Sequence, residues 1–111
     1  MTVLAIVKNI LFASKITETA KQLNKEATVC GTIDEALYHI SRAKIIILDL
    51  EEKDAIETVR KLREKFNGDI VGYLSHIRKH ELEAIAMIAG CTKVMTRAEI
   101  TKELSKLMNR A

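Results

Sequence analysis

The chain has 111 residues, 48% of them hydrophobic, and a formal charge of +3 from 18 basic and 15 acidic side chains. That length fits one domain, residues 1–111, able to bury a core without covalent staples, and the interleaved charges exclude a basic or acidic tail. Four aromatics (Phe12, Tyr38, Phe66, Tyr73) and no tryptophan exclude a stacking platform for single-stranded nucleic acid, and so weak a basic excess gives no ground for a nucleic-acid partner.

The apolar start, Val3 to Val7, is short and has neither a basic leader nor a cleavage site. It is read as a first strand buried on both faces. Ser14 is expected to cap a helix running to about Asn24, with Ile16, Ala20 and Leu23 on one side. Ala27 to Cys30 reads as a second strand broken by Gly31. Thr32 with Glu35 forms a capping box, opening a helix whose Ala36, Leu37 and Ile40 face inward.

Ile45 to Leu50 is the most apolar run and is expected to be a central strand. Asp54 with Glu57 gives a second capping pattern, followed by Ile56, Val59, Leu62 and Phe66 at helical spacing and a stop at Asn67-Gly68. Ile70 to Ser75 reads as the fourth strand, with Gly72 admitting a close neighbour. Glu81 to Ala89 is a helix stopped by Gly90, carrying Leu82, Ile85, Ala86 and Ala89. Lys93 to Met95 is a brief fifth strand. Thr96 with Glu99 opens the last helix, lined by Ile100, Leu104, Leu107 and Met108.

Five strand–helix units joined by short connections predict a parallel sheet covered by helices on both faces. In such sheets ligands bind at the carboxyl ends of the strands. The residues just beyond those ends are Lys8, Asn9, Gly31, Asp49, Ser75, His76, Thr96 and Arg97. Glycine-rich phosphate loops are missing after every strand, so no nucleotide or flavin cofactor is expected. Cys30 and Cys91 have no metal or redox spacing and are expected as reduced, buried thiols. His76 and His80 stand four apart, a metal-binding spacing on a helix, but the helix is expected to start only near His80 and no third ligand is evident. No metal is predicted. Ser75 and His76 are not a nucleophile and its base, because neighbours at a strand end point in opposite directions; the chain is not expected to be an enzyme. No apolar run reaches membrane-spanning length, so a cytoplasmic, membrane-free location is expected.

Four local motifs resemble the receiver domain of two-component response regulators, over essentially the whole chain. Ile45-Ile46-Ile47-Leu48-Asp49-Leu50 is similar to the strand ending in the phosphoacceptor aspartate. Tyr73-Leu74-Ser75-His76 resembles the strand ending in a hydroxyl residue, Ala89-Gly90-Cys91 the family's Ala-Gly-Ala, and Arg97 falls where the family keeps a lysine. The resemblance implies a flavodoxin-like three-layer α/β/α sandwich, with five helices and a five-stranded parallel sheet of order 2-1-3-4-5.

The departures concern the chemistry. Where the family has two acidic magnesium ligands, this chain has Lys8 and Asn9, too little negative charge for that ion. Without a metal a phosphoryl group loses its chief electrostatic stabilisation. The lysine is replaced by Arg97, the proline after it by Ala98, and bulky His76 stands where the family is small. The chain thus resembles degenerate pseudo-receivers, and its pocket reads as Asp49, Lys8, Asn9, Ser75, His76 and Arg97. Asp49 is expected in an ion pair with Lys8 or Arg97, its pKa lowered; the alternative is that the same cations draw an anionic ligand or a partner carboxylate into the pocket. The resemblance implies a non-catalytic interaction or signalling module. Its partner is a second copy or another protein, met through the fourth helix, fifth strand and fifth helix; Lys102, Lys106 and Arg110 on the last helix mark the first surface to examine. The competing readings are an atypical phosphoacceptor using Asp49 and a small basic nucleic-acid-associated protein.

Overall fold

The computed structural model describes residues 3–110, so the ends of the predicted 1–111 domain (Met1, Thr2 and Ala111) lie outside the described residues. Five strands, β1 (Val3–Ile6), β2 (Ala27–Cys30), β3 (Ile45–Asp49), β4 (Asp69–Leu74) and β5 (Lys93–Thr96), alternate with α1 (Ile10–Gln22), α2 (Ile33–His39), α3 (Ala55–Lys65), α4 (Lys79–Ala89) and α5 (Arg97–Arg110). All neighbouring strands are parallel, in the order β2-β1-β3-β4-β5. This is the predicted flavodoxin-like α/β/α sandwich.

Side chains of a strand alternate between its two faces, and both faces here are apolar. Leu4, Ile46 and Leu48 join Ala36 of α2, Val59 and Leu62 of α3, and Ala86 and Ala89 of α4 in one core. Val3, Ala5, Ile45 and Ile47 pack on the other side with Phe12 and Ile16 of α1 and Ile100, Leu104 and Met108 of α5. Each buried Leu or Ile contributes about 1.5–3 kcal/mol relative to leaving it exposed, so the unbroken aliphatic runs in the central strands set which segments lie between the helix layers.

The local signals held in some places and not in others. Thr32 accepts from the Glu35 N–H at 3.2 Å, as the first capping box requires. The Thr96 and Glu99 pair is reciprocal: each side chain accepts from the other's backbone N–H, at 3.1 and 2.8 Å. Ser14 is not the cap of α1. The helix starts four residues earlier, and Asn9 Oδ1 accepts from the Phe12 N–H at 2.9 Å. The apolar Ile10-Leu11-Phe12 looks like strand, yet only Phe12 of the three enters the core.

Asp54 stands at the start of α3, but its left-handed backbone (φ 60°) turns the loop and its side chain caps nothing; Asp is among the few residues that tolerate this conformation. Nor does Gly68 end α3 by a left-handed turn. The helix stops at Lys65, Phe66 is extended, and a Cβ on Gly68 would stand 2.8 Å from the Lys44 carbonyl oxygen. Gly72 is tight for the reason foreseen: an added Cβ would meet Leu50 Cδ1 at 2.6 Å. A 3-10 turn, His76–Arg78, leads into α4 at Lys79, so the helix begins ahead of Glu81 and contains His80. On α4, Ala86 and Ala89 are buried while Ile85 is nearly half exposed.

Candidate functional site

Asp49 closes β3 in register with Tyr73 of β4, so the two side chains lie on the same face of the sheet, the one covered by α1 and α5. Asp49 Oδ1 accepts from the Glu51 N–H at 2.8 Å. Its expected ion pair is not made. Among the described residues no cation stands within ion-pair distance of Asp49; Lys8 Nζ instead meets Glu52 Oε2 at 3.6 Å. Arg97, the first residue of α5, lies over the Tyr73 ring with its guanidinium carbon 5.7 Å from the centroid.

The expected pKa direction is therefore reversed. Burial at the strand end holds the Asp49 carboxyl above the usual aspartate value, and the charges of Glu52 and Glu51 add to that rise; the Glu51 N–H and the Arg97 charge oppose it without overcoming it.

Of the other predicted pocket residues, Asn9 spends its side-chain oxygen as the cap of α1. Ser75 is engaged, its Oγ donating to Glu51 Oε1 at 2.7 Å, while His76 is exposed on the 3-10 turn. At the mouth formed by the strand ends the structure sets Lys8 and Asp49 on the rim of one cavity, ties Ser75 to Asp49 only through Glu51, lays Arg97 over Tyr73, and leaves Asn9 and His76 out of it. Two residues not foreseen complete it. Glu51 and Glu52 extend in opposite directions across the strand ends, one to β4 and the other to Lys8 beyond β1. Their position directly after Asp49-Leu50 was the available signal.

Beneath the mouth lies Tyr73, fully buried, its ring 4.7 Å from that of Phe12 and its hydroxyl without a hydrogen-bond partner. Burial raises its pKa, the charges of Asp49 and Glu52 add to the rise, and the Arg97 charge opposes it. On the opposite face of the sheet a cavity of about 230 Å³ opens between α2 and α3, floored by Ile6 and Leu48 and rimmed by Lys8, Asp49 and Glu52.

A magnesium ion does not fit these residues. It takes near-octahedral oxygen ligation, whereas here the Asp49 carboxylate is held by a backbone N–H, Glu51 is engaged by Ser75 and Glu52 by Lys8. Among the described residues no group of three or more His, Cys, Asp or Glu side chains is placed to hold a metal. Cys30 and Cys91 are buried free thiols, with Cys91 pushed up to about 11 by burial.

On the last helix Lys102, Lys106 and Arg110 are exposed. Lys102 lines a groove over β5 together with Lys79, Lys93, Glu99 and Glu103; Lys106 pairs loosely with Glu103 at 3.9 Å; Arg110 borders a separate crevice beside Asp69 and Lys93. Exposed apolar residues stand elsewhere: Ile77, Ile85, Met87 and Ile88 on and before α4, Ile10 and Leu11 at the start of α1, and Tyr38 on α2. No helix among the described residues is long and apolar enough to cross a membrane.

No protein-family model matches the chain, and no curated protein matches it in sequence. Solved structures do match. The receiver domain of the TMAO respiratory response regulator TorR superposes with a TM-score of 0.82 at 14% identity, covering 98% of this chain and 97% of that one. A response regulator from Thermotoga maritima gives 0.77 at 15%, covering 97% of both. HP1043, an orphan response regulator of H. pylori, gives 0.77 at 18%, covering 99% of this chain and 92% of that one. At these identities the likeness establishes the fold, that of a response-regulator receiver.

Proposed function

We propose that the chain is a non-catalytic, receiver-like interaction module whose Asp49 is not phosphorylated by the metal-dependent route. The observation that carries this is the set of contacts at the strand ends. Lys8 stands where the metal-binding acids of the family fall, Asn9 is spent on a helix cap, and Ser75 is engaged by Glu51. With Lys8 drawn to Glu52 and the Glu51 and Glu52 carboxylates adding negative charge around Asp49, a phosphoryl dianion there would lack the metal that offsets its charge in the family.

The partner is a second copy of the chain or another protein, met through α4, β5 and α5. What supports this surface is its apolar exposure: Ile77, on the turn before α4, and Ile88 are each 85% exposed, and Ala84, Ile85 and Ile88 stand at helical spacing along one side of α4. The cations Lys79, Lys93 and Lys102 flank the groove beside it.

The test is incubation with acetyl phosphate and Mg²⁺, followed by intact-mass measurement. No phosphoryl adduct is expected. A stoichiometric adduct lost in Asp49→Asn sinks the proposal and establishes the atypical phosphoacceptor in its place.

A further inference from the structure

The cavity between α2 and α3 opens at the ends of β1 and β3, where the strand order reverses, and open parallel sheets hold their ligands in that crevice. Small side chains keep it open. Gly31, Ala55 and Thr58 line it, and a Cβ on Gly31 would meet nothing nearer than Glu35 Oε1 at 3.8 Å. Its depth is apolar: Ile6 and Ile33, packed against the core but only partly buried, join Leu48 and Ala55. A dry cavity of about 150 Å³ takes benzene, and drug-sized ligands need about 300 Å³ or more. At about 230 Å³ this cavity has room for a single ring or a branched aliphatic chain.

The rim chooses the head group. Asp49, Glu52 and Asp54 border it with Lys8 and Lys53, and Lys8 is already drawn to Glu52 at 3.6 Å. That leaves Asp49 and Asp54 against Lys53 alone. Asp49 is partly buried and accepts from the Glu51 N–H, with no cation among the described residues at ion-pair distance. Asp54 caps nothing. The helix starts bring partial positive charge, but Thr32 caps α2, and Asp34, Glu35 and Glu57 stand in the first turns of α2 and α3. A metal ion is the poorer occupant, since among the described residues no group of three or more His, Cys, Asp or Glu side chains is placed to hold one. Negative charge spread around an apolar hollow suits an organic cation with its carbon body below.

We infer that the cavity between α2 and α3 binds a small apolar amine, its ring or branched chain seated on Ile6, Ile33 and Leu48 and its ammonium held at the rim by Asp49 and Asp54. The site is separate from the surface of α4, β5 and α5, so it goes beyond the interaction module proposed above and does not depend on it.

The experiment is a titration of the full chain with phenethylamine, read by NMR from the backbone amide shifts of Ile33, Asp49 and Thr58. Two controls divide the ligand: 3-phenylpropionate keeps the ring and reverses the charge, and methylamine keeps the charge without the ring. Phenethylamine is expected to give saturable shifts with a Kd at or below about 1 mM, and each control to bind at least about tenfold more weakly. Thr58→Phe, filling the cavity from its partly buried wall, is expected to abolish binding.

Asp49→Asn/Asp54→Asn leaves the space unchanged, and Asn tolerates the left-handed backbone at position 54. It is expected to weaken phenethylamine by about tenfold or more and to leave 3-phenylpropionate no weaker. This double variant decides the matter if Thr58→Phe does not fold. Shifts that never saturate, 3-phenylpropionate binding as tightly as phenethylamine, or binding indifferent to a folded variant overturns the inference. Any of these failures leaves the proposed function standing.

Discussion

The guanidinium of Arg63 donates twice to the carbonyl oxygen of Gly90, from Nε at 3.0 Å and Nη2 at 2.7 Å. Its third nitrogen, Nη1, donates to the carbonyls of Phe66 and Gly68 at 2.8 and 2.9 Å. One side chain therefore ties the end of α3 and the entry to β4 to the turn between α4 and β5. Arg63→Lys is expected to cost about 2–3 kcal/mol, because an ammonium cannot reproduce the planar fork and leaves partly buried carbonyls unpaired. Urea denaturation of the two proteins checks it. Gly90→Ala is expected to be comparably damaging, since its backbone lies at φ 138° and the new Cβ would stand 2.9 Å from Arg63 Cβ.

Asp49→Asn is expected to stabilise the protein at neutral pH. Burial raises the folded-state pKa above the ordinary 3.8, so the folded state binds more protons than the unfolded state between those values. Stability then falls as pH rises through that window and is fully retained below 3.8. Asn keeps the oxygen that accepts from Glu51 and removes the charge. The Tm difference between variant and wild type should be positive at pH 7 and vanish below pH 3.8 in a thermal melt series. An ion-paired Asp49 would give the opposite sign.

Thr96→Ala is expected to cost about 1 kcal/mol through loss of the α5 cap. Glu99, its reciprocal partner, has its pKa lowered by the Thr96 hydrogen bonds and by Lys79. The stabilisation it contributes is therefore present above 4.5 and lost as pH falls through its folded value. Glu99→Gln should differ from wild type at pH 7 and converge with it in acid, as measured by chemical denaturation at several pH values.

Ile77→Glu and Ile88→Glu are expected to break self-association while changing monomer stability by less than about 0.5 kcal/mol, since both side chains stand in solvent. Sedimentation velocity across a concentration series reads the first effect and thermal melts the second. Charge reversal of Lys102, Lys106 and Arg110 tests the adjoining surface in the same assay.

The fold was legible because its signals are local or periodic. The run Ile45-Ile46-Ile47-Leu48 and the Thr32 and Thr96 capping boxes each state a structure without help from the rest of the chain. The site was legible only in position. Asp49 and Ser75 fall at strand ends, as counted, but what they touch depends on where the loop after β3 sends its side chains. Lys8 borders the same cavity as Asp49 and Glu52, and it pairs with the partly exposed Glu52 at 3.6 Å. Asn9 was claimed by the helix beginning beside it. Ile85 shows the same limit in packing: helical spacing marks the apolar residues of α4, of which Ala86 and Ala89 are buried while Ile85 is nearly half exposed.

Tyr73 has a consequence for observing the molecule. The chain contains two tyrosines and no tryptophan, and the other tyrosine, Tyr38, stands in solvent against His39. All intrinsic ultraviolet emission therefore comes from two rings in opposite surroundings. In Tyr38→Phe a single fluorophore remains, enclosed by Phe12 and Arg97 under the carboxyl ends of the strands. Ionisation of Asp49, whose charge acts on the Tyr73 hydroxyl, would alter the quenching of that one ring. The mouth carries its own optical reporter, readable without a label.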